Sequence, residues 1–156
     1  MRPGAMAAAA FPAGRVERCI GKPAEAWGVE DLVGLVEAEG VRLVTLLHVG
    51  GDGTLKALDF VPRDRAHLRA ILAHGERADG SSLFRGLKAG ASDILLRPRL
   101  CTAFLDPFAP FPALALMAGH LSRSGEPLAE SPDTILRRAD DAMYRAKRAG
   151  KARVHV

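Results

Sequence analysis

The side chains best suited to chemistry lie in one polar segment, residues 77–93. It begins Arg77-Ala78-Asp79-Gly80-Ser81-Ser82-Leu83-Phe84 and ends Ser92-Asp93. Carboxylates bind cations and accept protons, and long loops inside a compact domain are often functional. We interpret residues 79–92 as such a loop, rich in glycine and serine. The plainer interpretation is that Asp79 and Ser82 cap a turn.

Metal-binding and disulfide chemistry are not indicated by the cysteines and histidines. Cys19 and Cys101 show no zinc spacing and are too few for a disulfide framework, so we expect a reducing cytoplasm. No cluster with metal-ligand spacing is formed by the five histidines, which are His48, His67, His74, His120 and His155.

Hydrophobic periodicity predicts two helices and a hairpin before the loop. Residues 29–39 carry an apolar stripe closed by a glycine, which is typical of a short amphipathic helix. Residues 41–49 and 54–61 are typical of two strands, and Gly50-Gly51-Asp52-Gly53 predicts the turn between them. The next helix is predicted to begin after Asp64 as its N-cap and to end at Gly75.

Strands and one more helix are predicted after the loop. Residues 94–96, 102–105 and 113–121 are typical of strands. Ser131 and Pro132 suit the N-cap and the first position of a final helix over 132–149. One face of that helix is apolar and consists of Ile135, Leu136, Ala139, Met143 and Ala146. The pattern predicts an α+β fold, in which a small mixed sheet packs against helices.

The composition fits one ordinary domain. The chain has 156 residues, of which 48% are hydrophobic and 26% charged, and a net charge of +4. Because the basic residues are spread along the chain, we expect a solvated surface and no nucleic-acid partner. The alanine-rich start is too short and too interrupted to span a membrane. We expect residues 1–28 to form a disordered arm.

Four ordered motifs resemble the N-terminal β-grasp domain of glutamine synthetases. They are the Asp-Gly-Ser-Ser-Leu loop at 79–83, Ser92-Asp93 before a strand that ends at Pro98, a strand leading into Asp106-Pro107-Phe108, and the helix that begins near Ser131. The hairpin at 41–60 occupies the place of the family's first hairpin. The resemblance covers about residues 29–140. It implies a β-grasp domain at 29–123, followed at 124–156 by the start of a catalytic domain.

The resemblance also implies roles for three residues. Asp79 matches the aspartate that binds ammonium and accepts its proton in the site of a neighbouring subunit. Ser82 matches the loop serine near the substrate, and Asp93 matches an aspartate close to the neighbouring site. Ammonium has no lone pair, so it must lose a proton before it attacks an activated carboxylate.

The family's other site residues are not found in this sequence. Its metal ligands begin in a Glu-x-Glu strand after the final helix, whereas this chain continues Lys151-Ala152-Arg153-Val154-His155-Val156. We therefore expect a truncated ligase domain that is inactive alone and holds neither metal nor cofactor. ATP and Mg²⁺ or Mn²⁺ belong to the full-length family. The partner implied is a second copy of the chain or a full-length synthetase subunit.

Two other resemblances leave alternatives open. Gly50-Gly51-Asp52-Gly53-Thr54 is similar to a motif of NAD and lipid kinases, in which a helix follows directly. Residues 138–151 resemble the last helix of GGDEF-type diguanylate cyclases, although the turn at 50–54 lacks that family's second acid. The chain is then a kinase-like protein or a fusion with a cyclase tail. A non-catalytic interaction module is a further alternative.

Overall fold

The computed structural model describes residues 14–85, 87 and 92–149. Its four α-helices are α1 (Arg15–Ile20), α2 (Val29–Ala38), α3 (Arg65–His74) and α4 (Pro132–Arg148). Its six strands are β1 (Leu43–Val49), β2 (Leu55–Phe60), β3 (Glu76–Asp79), β4 (Asp93–Pro98), β5 (Phe104–Leu105) and β6 (Ala113–Leu121). Short 3₁₀ turns span Ala24–Ala26, Gly80–Ser82 and Leu100–Thr102.

The strands form one mixed sheet in the order β2-β1-β6-β4-β3, with β5 also paired to β6. Strand β1 pairs with β2 as an antiparallel hairpin and with β6 in parallel. The other edge of β6 pairs first with β5 and then with β4, both antiparallel. This arrangement confirms the predicted α+β fold with a β-grasp-like mixed sheet, packed helices and a C-terminal helix.

The core lies between the sheet and helices α2 and α3. Alternate residues of β1 are buried, because successive side chains of a strand point to opposite faces. In β6 the first four residues, Ala113–Leu116, are all buried, and the alternation begins only after them. The largest fully buried side chains of this core come from both layers and are Leu32, Leu46, Leu72, Leu96, Leu114 and Leu116. Full burial of each such side chain contributes roughly 1.5–3 kcal/mol.

Several predicted helix ends are confirmed. The Asp64 carboxylate accepts a hydrogen bond from the His67 amide at 2.7 Å, as an N-cap does. Helix α3 ends at Gly75, and Pro132 begins α4. Ser131 holds the N-cap position of α4, but its side chain makes no capping hydrogen bond because its hydroxyl is taken by His120.

The disordered arm predicted over 1–28 is wrong for the described residues 14–28. Helix α1 forms there, and Val16 is buried against the core. Trp27 is also buried, and its Nε1 donates to the Lys22 carbonyl at 2.9 Å. Two large apolar contacts order a segment whose local sequence favours coil. Residues 1–13 lie outside the described part, and the boundaries at 29–123 and 124–156 stay predictions.

Strand β3 and the short strand near 102–105 also differ from expectation. Glu76–Asp79 was not predicted as a strand, because three charged residues and one alanine carry no hydrophobic alternation. Its pairing with β4 supplies the order. In the second region only Phe104–Leu105 is strand, after a 3₁₀ turn. No helix among the described residues is long and apolar enough to cross a membrane.

Candidate functional site

Asp79 lies at the point where β3 passes into the loop, and it is exposed. Its Oδ1 accepts hydrogen bonds from the Ser81 amide at 3.0 Å and the Ser81 hydroxyl at 2.8 Å. Hydrogen bonds from the Ser81 hydroxyl, the Ser81 amide and Ser92 lower the pKa of Asp79 below its ordinary value. The carboxylate is therefore charged at neutral pH and held in one orientation.

Asp93 faces Asp79 directly across the β3–β4 pair. An Arg77 guanidinium nitrogen lies 3.1 Å from the Asp93 carboxylate and offsets its charge. Like charges opposite one another on two strands repel, and Arg77 reduces this repulsion by pairing with Asp93. The ionised Asp79 carboxylate itself attracts a cation.

Ser82 is directed differently from the two carboxylates. Its hydroxyl donates to the Asp79 carbonyl oxygen at 2.8 Å, which closes the turn. Ser82 also lines a separate cleft of about 500 Å³ with Ser81, Asp52, Arg85 and Glu130. The structure thus places Asp79 and Asp93 together and Ser82 at the neighbouring cleft. The turn-capping geometry expected from the plainer interpretation is present as well.

Two glycines fix the base and the flank of this loop. Gly80 is buried, and its amide donates to the Ser92 carbonyl at 2.6 Å, which brings the two ends of the loop together. A Cβ on Gly80 would lie 2.8 Å from an Ile94 methyl carbon. A Cβ on Gly51 would lie 2.9 Å from the Phe84 ring. Both positions therefore exclude a side chain.

The hairpin turn at Gly50–Gly53 packs against the loop. The Gly51 amide donates to the Leu83 carbonyl at 2.9 Å. Asp52 is held by the side chain and amide of Thr54 and by Lys56, and these contacts lower its pKa to about 2. Strand β2 follows the turn, as the hairpin prediction requires. The turn therefore acts as a support for residues 81–84.

A buried polar chain behind the loop was not predicted. His48 Nδ1 lies 3.1 Å from His120 Nε2, and His120 Nδ1 lies 3.1 Å from the Ser131 hydroxyl. The Phe84 ring packs edge-on against His120 at a centroid distance of 4.9 Å. This chain joins β1, β6, the loop and the start of α4. The sequence indicates this chain only weakly, through the position of each histidine. His48 and His120 both occupy strand positions whose side chains face the core.

Burial lowers the pKa of both histidines. The pKa of His120 falls to about 4 through burial, His48 and Arg99, although Asp133 opposes the change. The pKa of His48 is lowered by burial and by Lys56. Both rings are therefore neutral at pH 7 and share hydrogen bonds as donor and acceptor.

Metal-ligating side chains do not cluster in the part of the chain that the structure describes. Across residues 14–85, 87 and 92–149, no three histidine, cysteine or acidic side chains come together as a metal would require.

Comparison with known proteins finds similar solved structures. Apo GmaS without ligand matches with a TM-score of 0.61 and 16% identity, over 73% of this chain and 26% of that chain. GmaS in an ADP complex matches with a TM-score of 0.60 and 19% identity, over 77% of this chain and 26% of that chain. A cryo-EM structure of Plasmodium falciparum glutamine synthetase matches with a TM-score of 0.61 and 18% identity, over 78% of this chain and 23% of that chain.

These matches concern the fold. No protein-family model matches the sequence, and comparison with curated proteins finds no match. The chain spans about a quarter of the length of the GmaS and synthetase chains. The chain therefore has the β-grasp-like α+β fold found within GmaS and Plasmodium falciparum glutamine synthetase.

Proposed function

We propose that the chain is the N-terminal domain of a glutamine synthetase-like, ATP-dependent ligase that joins glutamate to ammonia or another amine. Its loop around Asp79 completes a site on a neighbouring subunit, either a second copy or a full-length synthetase. The observation that carries this proposal is the Asp79 carboxylate, exposed, ionised and held by Ser81 opposite Asp93. The fold shared with glutamine synthetase supports it.

The geometry around Asp79 suits cation binding more than proton removal. A carboxylate with a lowered pKa attracts ammonium but is a weak base. If the loop enters a partner's pocket, loss of water raises the pKa of Asp79 and makes it a better proton acceptor. The hydrogen bond from the Ser82 hydroxyl to the Asp79 carbonyl oxygen keeps the turn closed.

ATP and the divalent metal belong, in this proposal, to another chain or domain. The described residues offer no cluster of acidic or histidine ligands for them. We therefore expect the chain alone to release no phosphate from ATP in the presence of glutamate and ammonium.

Both cysteines, Cys19 and Cys101, are exposed and form no disulfide. The reducing cytoplasm expected from their number stays a prediction.

A domain exchange tests this function. Residues 14–149 replace the matching part of Plasmodium falciparum glutamine synthetase, and glutamate- and ammonium-dependent phosphate release is measured. We expect the hybrid to be active and Asp79→Asn in the hybrid to lose most of that activity. Asp141→Asn is the matched control, because Asp141 is an exposed carboxylate on α4. A folded, assembled hybrid without activity, or equal losses in both variants, would contradict the proposal.

A further inference from the structure

Phe84 anchors the loop that begins at Asp79. Its ring is 2% exposed and packs with Ile94 and Leu128 in a small apolar cluster, apart from the main core against α2 and α3. The Phe84 amide donates to the Gly80 carbonyl at 2.9 Å, which closes the turn directly after Asp79. The position of the Phe84 ring therefore determines where this turn, and with it the Asp79 carboxylate, lies.

His120 forms one wall of the site in which the Phe84 ring lies. The two rings meet edge-on, with centroids 4.9 Å apart and an angle of 88° between their planes, which is a favourable aromatic geometry. The two ring nitrogens of His120 contact His48 Nδ1 and the Ser131 hydroxyl, each at 3.1 Å. Because rotation of the imidazole would break both contacts, the surface that it presents to Phe84 is fixed.

We propose that His120 is a positioning residue for the loop. Its neutral ring holds Phe84, and through Phe84 it holds the turn that follows Asp79, whereas a proton on the ring releases this turn. In the neutral ring one nitrogen donates a hydrogen bond and the other accepts one, so both contacts can be satisfied. A charged ring has two donors and loses its solvation in a buried site. Opening to water lowers that cost, and Phe84 is a side chain that covers the ring.

The charged groups around His120 leave its ring neutral at pH 7. Arg99, after β4, and Asp133, at the start of α4, both act on the ring and pair with each other at 2.6 Å. The carboxylate that would attract a proton is therefore largely neutralised. Lys56 on β2 disfavours a charge on the neighbouring His48 ring. Burial, with smaller contributions from His48 and Arg99, lowers the pKa of His120 to about 4, and Asp133 opposes this change.

The size of the release follows from the covered and the open state of His120. When the ring opens to water, its pKa returns from about 4 toward the ordinary 6.5. The open form then binds a proton that the closed form does not, so the closed form loses stability as pH falls through this window. The equilibrium constant for opening of the turn should rise by about twentyfold between pH 7 and pH 5.

Hydrogen exchange of the full 156-residue chain at pH 7, 6 and 5 tests the proposal without reference to catalysis. The protection factor of the Phe84 amide is measured, and the Leu72 amide in α3 serves as the reference for global unfolding. We expect the Phe84 amide to be less protected than the Leu72 amide and to lose about twentyfold in protection from pH 7 to pH 5. His120→Gln has no ring and does not titrate, so it should lower the protection at pH 7 by about fivefold or more and reduce the change with pH to less than about threefold. His74→Gln is the matched control, because His74 is exposed, and it should behave as the unaltered chain does.

Two results of the exchange experiment would overturn the proposal. One is a protection factor for Phe84 that equals that of Leu72 at every pH, since the turn then opens only when the whole domain unfolds. The other is a protection that does not fall with pH in the unaltered chain, or that falls equally in His120→Gln. The pH profile of the unaltered chain needs no substitution, so it decides the question even if His120→Gln loses helix content by circular dichroism.

Ammonium saturation of the hybrid synthetase adds a catalytic readout, which rests on the proposed function. His120→Gln should raise the KM for ammonium by about threefold or more and leave the KM for ATP unchanged, whereas His74→Gln should change neither. If Asp79→Asn does not alter the KM for ammonium while the exchange result holds, the proposed function fails and the positioning role of His120 stands. If Asp79→Asn raises this KM and His120→Gln does not, the positioning role is overturned.

Discussion

Acidification should destabilise the domain through His120 before its carboxylates begin to titrate. The ring is 4% exposed and neutral, and it bridges His48 and Ser131. Its pKa is about 4 in the folded domain, against 6.5 for an ordinary histidine. Between these values the unfolded chain binds more protons than the folded one, so stability rises with pH across this window and is lost as pH falls.

The magnitude follows from the two pKa values. At about 1.36 kcal/mol per pH unit, the full difference corresponds to roughly 3 kcal/mol, lost by pH 4. About 2 kcal/mol of this is lost between pH 7 and pH 5, where few carboxylates titrate. His48, whose pKa is also lowered by burial, adds to the loss in the same direction. Asp133 is the acid near the pair and opposes the effect, whereas Arg99 and Lys56 strengthen it.

Urea unfolding at pH 7, 6 and 5 measures this loss, with the fluorescence of Trp27 as the signal. Trp27 is the single tryptophan of the chain and is buried. His120→Gln keeps a hydrogen-bonding side chain but does not titrate, so its free energy of unfolding should vary less with pH than that of the unaltered chain. His74→Gln is the control, since His74 is exposed at the end of α3. Equal pH dependence in the unaltered chain and His120→Gln would refute the reasoning.

Three further substitutions test the supports of the loop and the core. Gly51→Ala should lower the free energy of unfolding by about 1–3 kcal/mol, because its Cβ would meet the Phe84 ring. Gly34→Ala on α2, where the space is open, is the control and should be neutral or stabilising by up to about 1 kcal/mol. Thermal unfolding of the two variants measures the difference. Phe84→Ala should cost about 3–5 kcal/mol, since the ring is 2% exposed, and a loss below about 1 kcal/mol in urea unfolding would contradict its packing. Asp64→Ala should cost about 1 kcal/mol by removing the N-cap of α3, and an unchanged free energy of unfolding would argue against that cap.

The local features of the fold could be predicted from the sequence. The β1–β2 hairpin follows from a β-branched and leucine-rich run and a second strand-like run on either side of a glycine-rich turn, and the N-cap at Asp64 follows from residue type and position. Helix α4 was predicted from its period of apolar residues. In each of these, the determining residues lie within a few positions of one another.

The predictions that failed concern features that depend on contacts between residues distant in the sequence. Helix α1 is ordered because Val16 packs on a core assembled from later elements, and its own glycine- and proline-rich surroundings favour coil. The polar strand β3 exists because β4 pairs with it. Ser131 occupies the expected cap position, yet its hydroxyl contacts His120, which local patterns do not indicate.

The candidate site was predictable in part for the same reason. Asp79 and Ser82 belong to one short motif, and their turn forms as the spacing suggests. The juxtaposition of Asp79 with Asp93 required knowledge of the β3–β4 register. The support from His48 and His120 joins residues 72 positions apart, so no local pattern contains it.

The ammonium saturation curve of the hybrid synthetase tests the central proposal most directly. Phosphate release is measured against ammonium concentration at saturating glutamate and ATP, for the hybrid and its Asp79→Asn variant. If Asp79 binds ammonium, the variant should show a KM for ammonium raised by about tenfold or more, with the KM for ATP unchanged. An unchanged KM for ammonium, or equal rises in both KM values, would contradict the proposed role of Asp79.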